Sequence, residues 1–336
     1  MMRVAKPDAG ERRDEFEIIG EVFAPLAADA PGAYGLKDDV AVFTPTPGHE
    51  TVLTVDTIVE GVHFLSDDPP DSVARKLLRV NLSDLAAKGA HPRGYLLAAS
   101  WPHGTTLEWM HAFAVGLASD QRRYGVSLWG GDTTSTSGAL TLSLTAIGEV
   151  PAGQVIRRGG ACPGDVVFVT GTIGDAALGL KFLRGEIEGL ESVHADFLVK
   201  RYREPEPRVT FGPRLCEIAS ASADVSDGLM ADLGHICEVS GVGARIELAR
   251  MPLSDAVRTV LDRQADFTQT VFSGGDDYEI LFTAAAGERD AVAAIARETG
   301  ISATQIGVVT EEGEGVALIA PSGQPVPLKQ LGYRHF

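Results

Sequence analysis

Short apolar runs alternate with longer helical patterns along most of the chain, and this alternation restricts the fold more than any other feature. The runs have the length and composition of β-strands, at Val52–Val55, Tyr95–Ala99, Leu140–Ile147, Val166–Val169 and Glu279–Phe282. Helical periodicity lies between them, over Ser72–Lys88, Leu107–Arg123, Asp175–Leu183, Arg208–Ala219, Leu229–Val239 and Glu288–Glu298. Such alternation predicts an α/β protein built of packed layers with mixed sheets.

A loop-rich stretch divides the chain near its middle. Residues 151–163, PAGQVIRRGGACP, follow a long strand-like run and are rich in glycine and proline, which is typical of a connection. A chain of 336 residues is long enough for two cores of ordinary size. We therefore predict two domains, residues 1–150 and 151–336.

Charge and composition exclude several classes of protein. The net charge of −17 argues against nucleic-acid partners, because binding to a phosphate backbone needs clustered Lys and Arg. No run approaches the roughly 18 uncharged apolar residues of a membrane span, and the first residues lack the apolar core of a secretory signal. We expect a cytoplasmic protein without membrane contact. The three cysteines are odd in number and widely spaced, which indicates neither a disulfide framework nor a cysteine metal site.

Aspartates recur at the ends of the apolar runs. Asp39 opens the run VAVF, Asp56 closes TVLTV, Asp132 follows VSLWGG, and both Asp224 and Asp227 precede a helical pattern. Each alone is better explained as a turn former or helix N-cap than as a metal ligand. Together they favour a magnesium site, because loops converge at element ends and Mg²⁺ prefers carboxylate oxygens. Bound cations would also let so acidic a chain bind phosphates.

One further acid lies inside a predicted helix. Asn81, Asp84 and Lys88 are spaced so that they share one helical face. On spacing alone this face is either the solvated side of an amphipathic helix or part of a site.

Glycine clusters mark places where the backbone could approach phosphate, at 130–131, 159–160 and 274–275. The P-loop pattern G-x-x-x-x-G-K-[ST] is absent, and the string Gly241-Val242-Gly243 lacks the third glycine of a dinucleotide fingerprint. Any phosphate-binding site in this chain must therefore be built from other motifs. Arg158 could reach a nucleotide phosphate, and His63 follows the Asp56 loop, although a surface role fits either residue equally well.

Six motifs, in this order, resemble the thiamine-monophosphate kinase family from about residue 15 to the end of the chain. They are LTVDTIVEGVHF (53–64), VNLSDLAAKGAHP (80–92), YGVSLWGGDTT (124–134), RRGGACPGDVVFVTGTIGDAALGL (157–180), ADVSDGLMADLGHI (223–236) and SGGDDYEILFT (273–283). The wider superfamily includes aminoimidazole ribonucleotide synthetase, selenophosphate synthetase and a hydrogenase-maturation protein, all of which use ATP without a P-loop.

The resemblance implies a two-domain fold like that of aminoimidazole ribonucleotide synthetase, whose N-terminal sheet pairs across a homodimer. It also implies an ATP-dependent kinase with a nucleotide cleft between the domains and several Mg²⁺ ions. By matching motif, the metal positions would be Asp39, Thr54, Val55, Asp56, Asp84, Asp132, Asp224 and Asp227. The ATP contacts would be Tyr124, Gly131, Asp132, Arg158 and Ser226, and the thiamine monophosphate contacts would be His63, Asp276 and Tyr333.

Two positions depart from the family pattern. Lys37 stands where the family usually has glycine, and Val55 stands where it often has a hydroxyl residue. Val55 can offer a metal only its backbone carbonyl, and Lys37 places a positive charge beside Asp39. The alternatives to this kinase are another ATP-using member of the superfamily and a catalytically inactive nucleotide-binding paralogue.

Overall fold

Two mixed β-sheets, each with its own apolar core, confirm the predicted α/β class. The structure is a computed structural model that describes residues 14–313 and 315–333. The first sheet has the order β1-β4-β2-β3, and only β2 and β3 run parallel. Its strands are β1 (His49–Val59), β2 (His91–Pro102), β3 (Ser127–Thr136) and β4 (Thr141–Pro151).

The second sheet has the order β10-β7-β9-β5-β8-β6, in which only β10 and β7 run parallel. Its strands are β5 (Val166–Thr170), β6 (Ala219–Asp224), β7 (Gly243–Glu247), β8 (Ile280–Ala284), β9 (Ala303–Thr310) and β10 (Val316–Ile319). The boundary that we predict near residue 151 falls at the end of β4, before the loop that leads to β5. The division into two domains stays a prediction.

The α-helices are α1 (Glu15–Ile18), α2 (Pro70–Ala87), α3 (Leu107–Tyr124), α4 (Asp175–Leu183), α5 (Ser192–Arg203), α6 (Leu229–Ser240), α7 (Asp255–Arg263), α8 (Thr268–Ser273) and α9 (Arg289–Thr299). Five of the six predicted helices are confirmed within two residues at each end. Over the residues described, no helix combines the length and the apolar composition needed to span a membrane.

The predicted helix over Arg208–Ala219 is wrong. This segment contains a single 3₁₀ turn, Gly212–Leu215, and the chain then enters β6 at Ala219. Pro213 lacks the N–H that a continuing helix requires, and it disfavours helical geometry in the residue before it. Gly212 lies directly on α2, where an added Cβ would stand 1.9 Å from the carbonyl oxygen of Ala86. The segment therefore packs the second sheet against α2.

Helix α2 lies between the two sheets. One side packs on β1, β2 and β4, where Leu77 and Leu85 join the core of the first sheet. Its other side contacts β6, β8 and α5, and Ala86 packs in the core of the second sheet beside Phe211 and Phe282. Because both sides are covered, the face that carries Asn81 does not lie in bulk water, and Asn81 is fully buried. The solvated-face interpretation of α2 is therefore wrong.

The face of the first sheet that points away from α2 is open, and we call it the open face. Side chains alternate along a strand, so Thr54 and Asp56 point towards α2 while Leu53 and Val55 point to the open face. Leu53, Val55 and Leu96 are exposed there to 65%, 60% and 39%. The open face thus presents an apolar patch on a sheet whose opposite face is buried.

Candidate active site

Three carboxylates meet where α2 passes between the sheets. Asp56 comes from β1, Asp84 from α2 and Asp224 from the end of β6. Thr54 Oγ1 donates a hydrogen bond to Asp84 Oδ2 at 2.5 Å, and Ser83 Oγ donates to Asp224 Oδ2 at 2.8 Å. We call Asp56, Asp84 and Asp224 the acid cluster. The acid cluster contains three of the predicted metal positions. A fourth predicted position, Thr54, orients Asp84 through its hydroxyl group.

The acid cluster is electrostatically unfavourable by itself. Burial, and after it the charge of Asp84, raises the pKa of Asp56 to about 7. Burial and the charge of Asp84 also raise the pKa of Asp224 well above its usual range. Neighbouring carboxylates disfavour each other's ionised forms when nothing positive lies between them. The cluster therefore has the properties of a cation site.

The acid cluster also fits the way proteins bind Mg²⁺. In the described part of the chain, no three His, Cys, Asp or Glu side chains converge tightly enough to hold a metal by themselves. Mg²⁺ usually takes only one or two carboxylates and completes its octahedron with water and phosphate oxygens. Hard carboxylate oxygens at the meeting point of two sheets thus match an ion shared with a bound phosphate.

Positive side chains adjoin the acid cluster. Lys88 Nζ, at the C-terminal end of α2, donates to the Ser222 carbonyl oxygen at 2.6 Å. Burial lowers the pKa of Lys88 to about 8, although the charge of Asp224 acts in the opposite direction. The charge of Arg158 also lowers the pKa of Lys88, so Arg158 lies near this lysine.

The loop before α6 is shaped by a buried carboxylate. Asp232 Oδ2 accepts hydrogen bonds from the backbone N–H groups of Ser226, Asp227 and Gly228, each at 3.1 Å. Burial, followed by the charge of Asp227, raises the pKa of Asp232 to about 7. The backbone N–H of Tyr333 donates to the Asp227 carbonyl oxygen at 2.9 Å. This loop therefore carries a predicted metal position, Asp227, and a predicted ATP position, Ser226, and the predicted substrate position Tyr333 contacts it from the C-terminal segment.

Two predicted substrate contacts meet at a buried lysine. Lys76 Nζ lies 2.9 Å from the carbonyl oxygen of His63 and 3.2 Å from Asp276 Oδ2. The backbone N–H of Asp276 also donates to the Ser226 carbonyl oxygen at 2.9 Å. The loop that carries Asp276 is therefore linked directly to the loop before α6.

Asp132 lies on the other side of the first sheet. Asp132 on β3 lies opposite Ala98 on β2. The same row continues across the sheet to Ser143 on β4 and Thr57 on β1, so all four side chains share the open face. Strands β4 and β2 separate Asp132 from the strand of Asp56, a distance of roughly 14 Å at the usual strand spacing. The structure therefore does not bring Asp132 into the acid cluster, and its metal role stays a prediction.

Other predicted positions also lie apart from the acid cluster. Asp39 is exposed in the irregular segment after Leu36, Gly131 lies beside Asp132 on β3, and the side chain of Val55 points to the open face. The ring of Tyr124 lies 5.1 Å from the Arg123 guanidinium, and its hydroxyl is buried without a hydrogen-bond partner among the described residues. The roles of these four residues stay predictions.

The sequence did not indicate several residues that shape the site. They are Lys76, Ser83, Tyr202, Asp232 and Tyr278. One signal was present, because α2 carries apolar residues around nearly its whole circumference. A helix of that kind is buried on most sides, and its few polar residues must then find partners inside the protein.

The parts of the chain that form the two sheets both match models of one protein family. Residues 37–150 match the AIR synthase related protein N-terminal domain, and residues 162–319 match the C-terminal domain of the same family. The chain is 44% identical over 324 residues to the thiamine-monophosphate kinase of Caulobacter vibrioides, covering 96% of this chain and 90% of that protein. The chain therefore belongs to the AIR synthase related family and, within it, to the thiamine-monophosphate kinases.

Solved structures agree with this family membership. The crystal structure of thiamine-monophosphate kinase from Stenotrophomonas maltophilia superposes with a TM-score of 0.79 at 40% identity, covering 87% of this chain and 91% of that one. AaThiL, complexed with AMPPCP and TMP, superposes with a TM-score of 0.76 at 29% identity, covering 97% and 100%. The resemblance stated from the six motifs is confirmed.

The acid cluster predicts a trade-off between stability and cation binding. Without Mg²⁺, Asp224→Asn should raise the free energy of unfolding by about 0.5–2 kcal/mol, because the amide removes a buried like charge and can still accept from Ser83. Mg²⁺ should stabilise the wild type by mass action and should stabilise this variant much less. Urea unfolding with and without Mg²⁺ measures both effects.

Asp120→Asn is the matched control. Asp120 is also a buried aspartate, but it pairs with the Arg79 guanidinium at 2.6 and 2.9 Å. Its neutralisation should lower stability whether or not Mg²⁺ is present. If Asp224→Asn destabilises the protein in the same way, the acid cluster is not a site of uncompensated charge.

Proposed function

We propose that this protein transfers the γ-phosphoryl group of ATP to the phosphate of thiamine monophosphate, with thiamine diphosphate and ADP as products. The observation that carries the proposal is the acid cluster between the sheets, in a chain that has no P-loop. Its relatives named thiamine-monophosphate kinase, and the AaThiL complex with AMPPCP and TMP, support the same substrates. The reaction is expected in the cytoplasm.

The proposed site residues are those of the motif match, and the contacts above support the metal positions of the acid cluster and Thr54. Mg²⁺ would be held by Asp39, Thr54, the carbonyl of Val55, Asp56, Asp84, Asp132, Asp224 and Asp227. ATP would contact Tyr124, Gly131, Asp132, Arg158 and Ser226, and thiamine monophosphate would contact His63, Asp276 and Tyr333. Bound Mg²⁺ supplies positive charge and orientation to the phosphate oxygens.

Bringing two phosphate groups together is the principal obstacle to the reaction. At an effective dielectric constant of about 20, two unit charges roughly 4 Å apart repel by about 4 kcal/mol. Arg158 and Lys88 contribute positive charge on one side of the acid cluster. In this proposal these two residues orient the reactants and offset part of the repulsion.

Transfer is direct in this proposal. The acceptor phosphate has a second pKa of about 6, so near pH 7 it is largely a dianion and no side chain has to remove a proton. One of its oxygens forms a bond to the γ-phosphorus of ATP while the bond from that phosphorus to the β,γ-bridging oxygen breaks, and ADP leaves. A covalent phosphoenzyme is not required.

The nature of the acceptor gives a direct test of the proposal. Thiamine monophosphate should be phosphorylated, while unphosphorylated thiamine should react at least about 100-fold more slowly, because an alcohol needs general-base assistance. Purified protein with ATP and Mg²⁺ is incubated with each compound, and the products are separated by chromatography. Comparable turnover of both compounds would contradict the proposed acceptor site.

We also propose that the protein is a homodimer joined through the open face. The apolar patch of Leu53, Val55 and Leu96 suits a second copy of the same surface. Asp132 lies on that face, so dimerisation would cover it and place it in an interface. Homodimerisation would thus enclose Asp132, a predicted metal position that is remote from the acid cluster.

Leu53→Asp should break this dimer, because it buries a charge in an apolar interface. Its control is Val115→Asp, since Val115 on α3 is 63% exposed and lies outside the open face. Size-exclusion chromatography with light scattering should give a monomer for Leu53→Asp and a dimer for both Val115→Asp and the wild type. A wild-type monomer with full activity would refute the homodimer.

A further inference from the structure

Lys76 is a buried lysine to which no role has been given so far. Its side chain is 2% exposed, although lysine is rarely buried unless it is paired. Its ammonium group donates to the carbonyl oxygen of His63 at 2.9 Å and to Asp276 Oδ2 at 3.2 Å. Nζ also lies 3.8 Å from the ring centroid of Tyr202, a cation–π contact. Lys76 is therefore held in place by three partners.

The partners of Lys76 come from different parts of the fold. His63 follows β1 of the first sheet, Asp276 precedes β8 of the second sheet, and Tyr202 belongs to α5. The Tyr202 hydroxyl also donates to the carbonyl oxygen of His63 at 3.3 Å. A single ammonium group thus joins the backbone of one residue proposed to bind thiamine monophosphate, His63, to the side chain of another, Asp276.

The loop that carries Asp276 depends on such anchoring. Asp276 and Tyr278 have φ angles of +72° and +50°, a left-handed conformation that residues other than glycine rarely adopt. Their neighbours point inward, since Asp277 Oδ2 accepts from the N–H of Gly174 at 2.7 Å. Asp277 therefore faces the core, while Asp276 faces Lys76.

The ion pair with Lys76 fixes the carboxylate of Asp276. The Tyr278 phenol lies near this carboxylate, since burial and then the charge of Asp276 raise the pKa of Tyr278. Lys76 is not itself a proposed substrate contact, but it is placed to control where the Asp276 carboxylate points.

We propose that Lys76 is the positioning residue of the acceptor site, which sets His63 and Asp276 at the spacing that thiamine monophosphate requires. The inference rests on the proposed function, because it takes these two residues as substrate contacts. Lys76 acts through them and does not contact the reacting atoms. Its loss should therefore weaken use of the acceptor selectively and leave ATP binding unchanged.

Lys76→Met removes the charge and the donors while keeping the length of the side chain. The KM for thiamine monophosphate should rise by about 10- to 100-fold, while the KM for ATP should stay within about twofold of the wild-type value. Lys76→Arg should recover most of the loss, because the guanidinium can still reach a carboxylate and a carbonyl. Initial rates with each substrate varied in turn measure both constants.

Arg75→Met is the matched control. It removes a cation from the same turn of α2, but Arg75 pairs with Asp71 and Glu204, each at 2.8 Å, and contacts neither His63 nor Asp276. Both KM values should stay close to those of the wild type. In an Asp276→Asn background, Lys76→Met should add little further loss, because the two residues act as one unit.

Equal increases in both KM values, or a loss of stability with unchanged KM values, would overturn the positioning role. If Lys76→Met does not fold, Lys76→Gln keeps one donor for the carbonyl of His63 without the charge, and the same selective rise in KM is expected. If the wild type forms no thiamine diphosphate, the proposed function fails. Calorimetric binding of thiamine monophosphate then tests Lys76 independently, and equal affinity of the wild type and Lys76→Met would refute its role.

Discussion

The burial of like charges between two sheets is the constraint on which the rest of the structure depends. Asp56, Asp84 and Asp224 come from three different elements, and burial together with the charge of Asp84 disfavours the ionised forms of Asp56 and Asp224. Hydrogen bonds from Thr54 and Ser83 orient two of these carboxylates without neutralising them. A cluster of this kind lowers stability and is retained where function requires a cation.

The position of α2 explains how the chain can maintain this cluster. The helix is covered by one sheet on each side, so its apolar residues hold both cores together while its polar residues meet side chains from β1 and β6. The cluster therefore forms only when both sheets are in place on α2. The same arrangement brings Lys76, three turns before Lys88 on the helix, to the loops that carry His63 and Asp276. The groups proposed to bind the metal and the acceptor are thus positioned by one helix.

The sequence predicted what depends on local pattern and missed what depends on packing. Asp224 ends β6 as the apolar run indicates, and it does meet Asp56. Asp56 and Asp132 were expected at strand ends but lie inside β1 and β3, because these strands continue through polar residues to Val59 and Thr136. Whether Asp84 faces water or a site could not be decided from helical spacing, since that depends on what covers α2. Lys76 was missed because a lysine on a helix is usually solvated. Asp132 could be assigned to the opposite face of the sheet only from the strand order and register.

Crystals grown with Mn²⁺, AMPPCP and thiamine monophosphate would test the central claim most directly, because Mn²⁺ takes the same oxygen ligands as Mg²⁺ and its anomalous scattering locates it. The account predicts at least one anomalous peak within coordination distance of carboxylate oxygens of Asp56, Asp84 or Asp224 and of a phosphate oxygen. Metal peaks confined to other parts of the molecule, with phosphates bound away from the acid cluster, would contradict it.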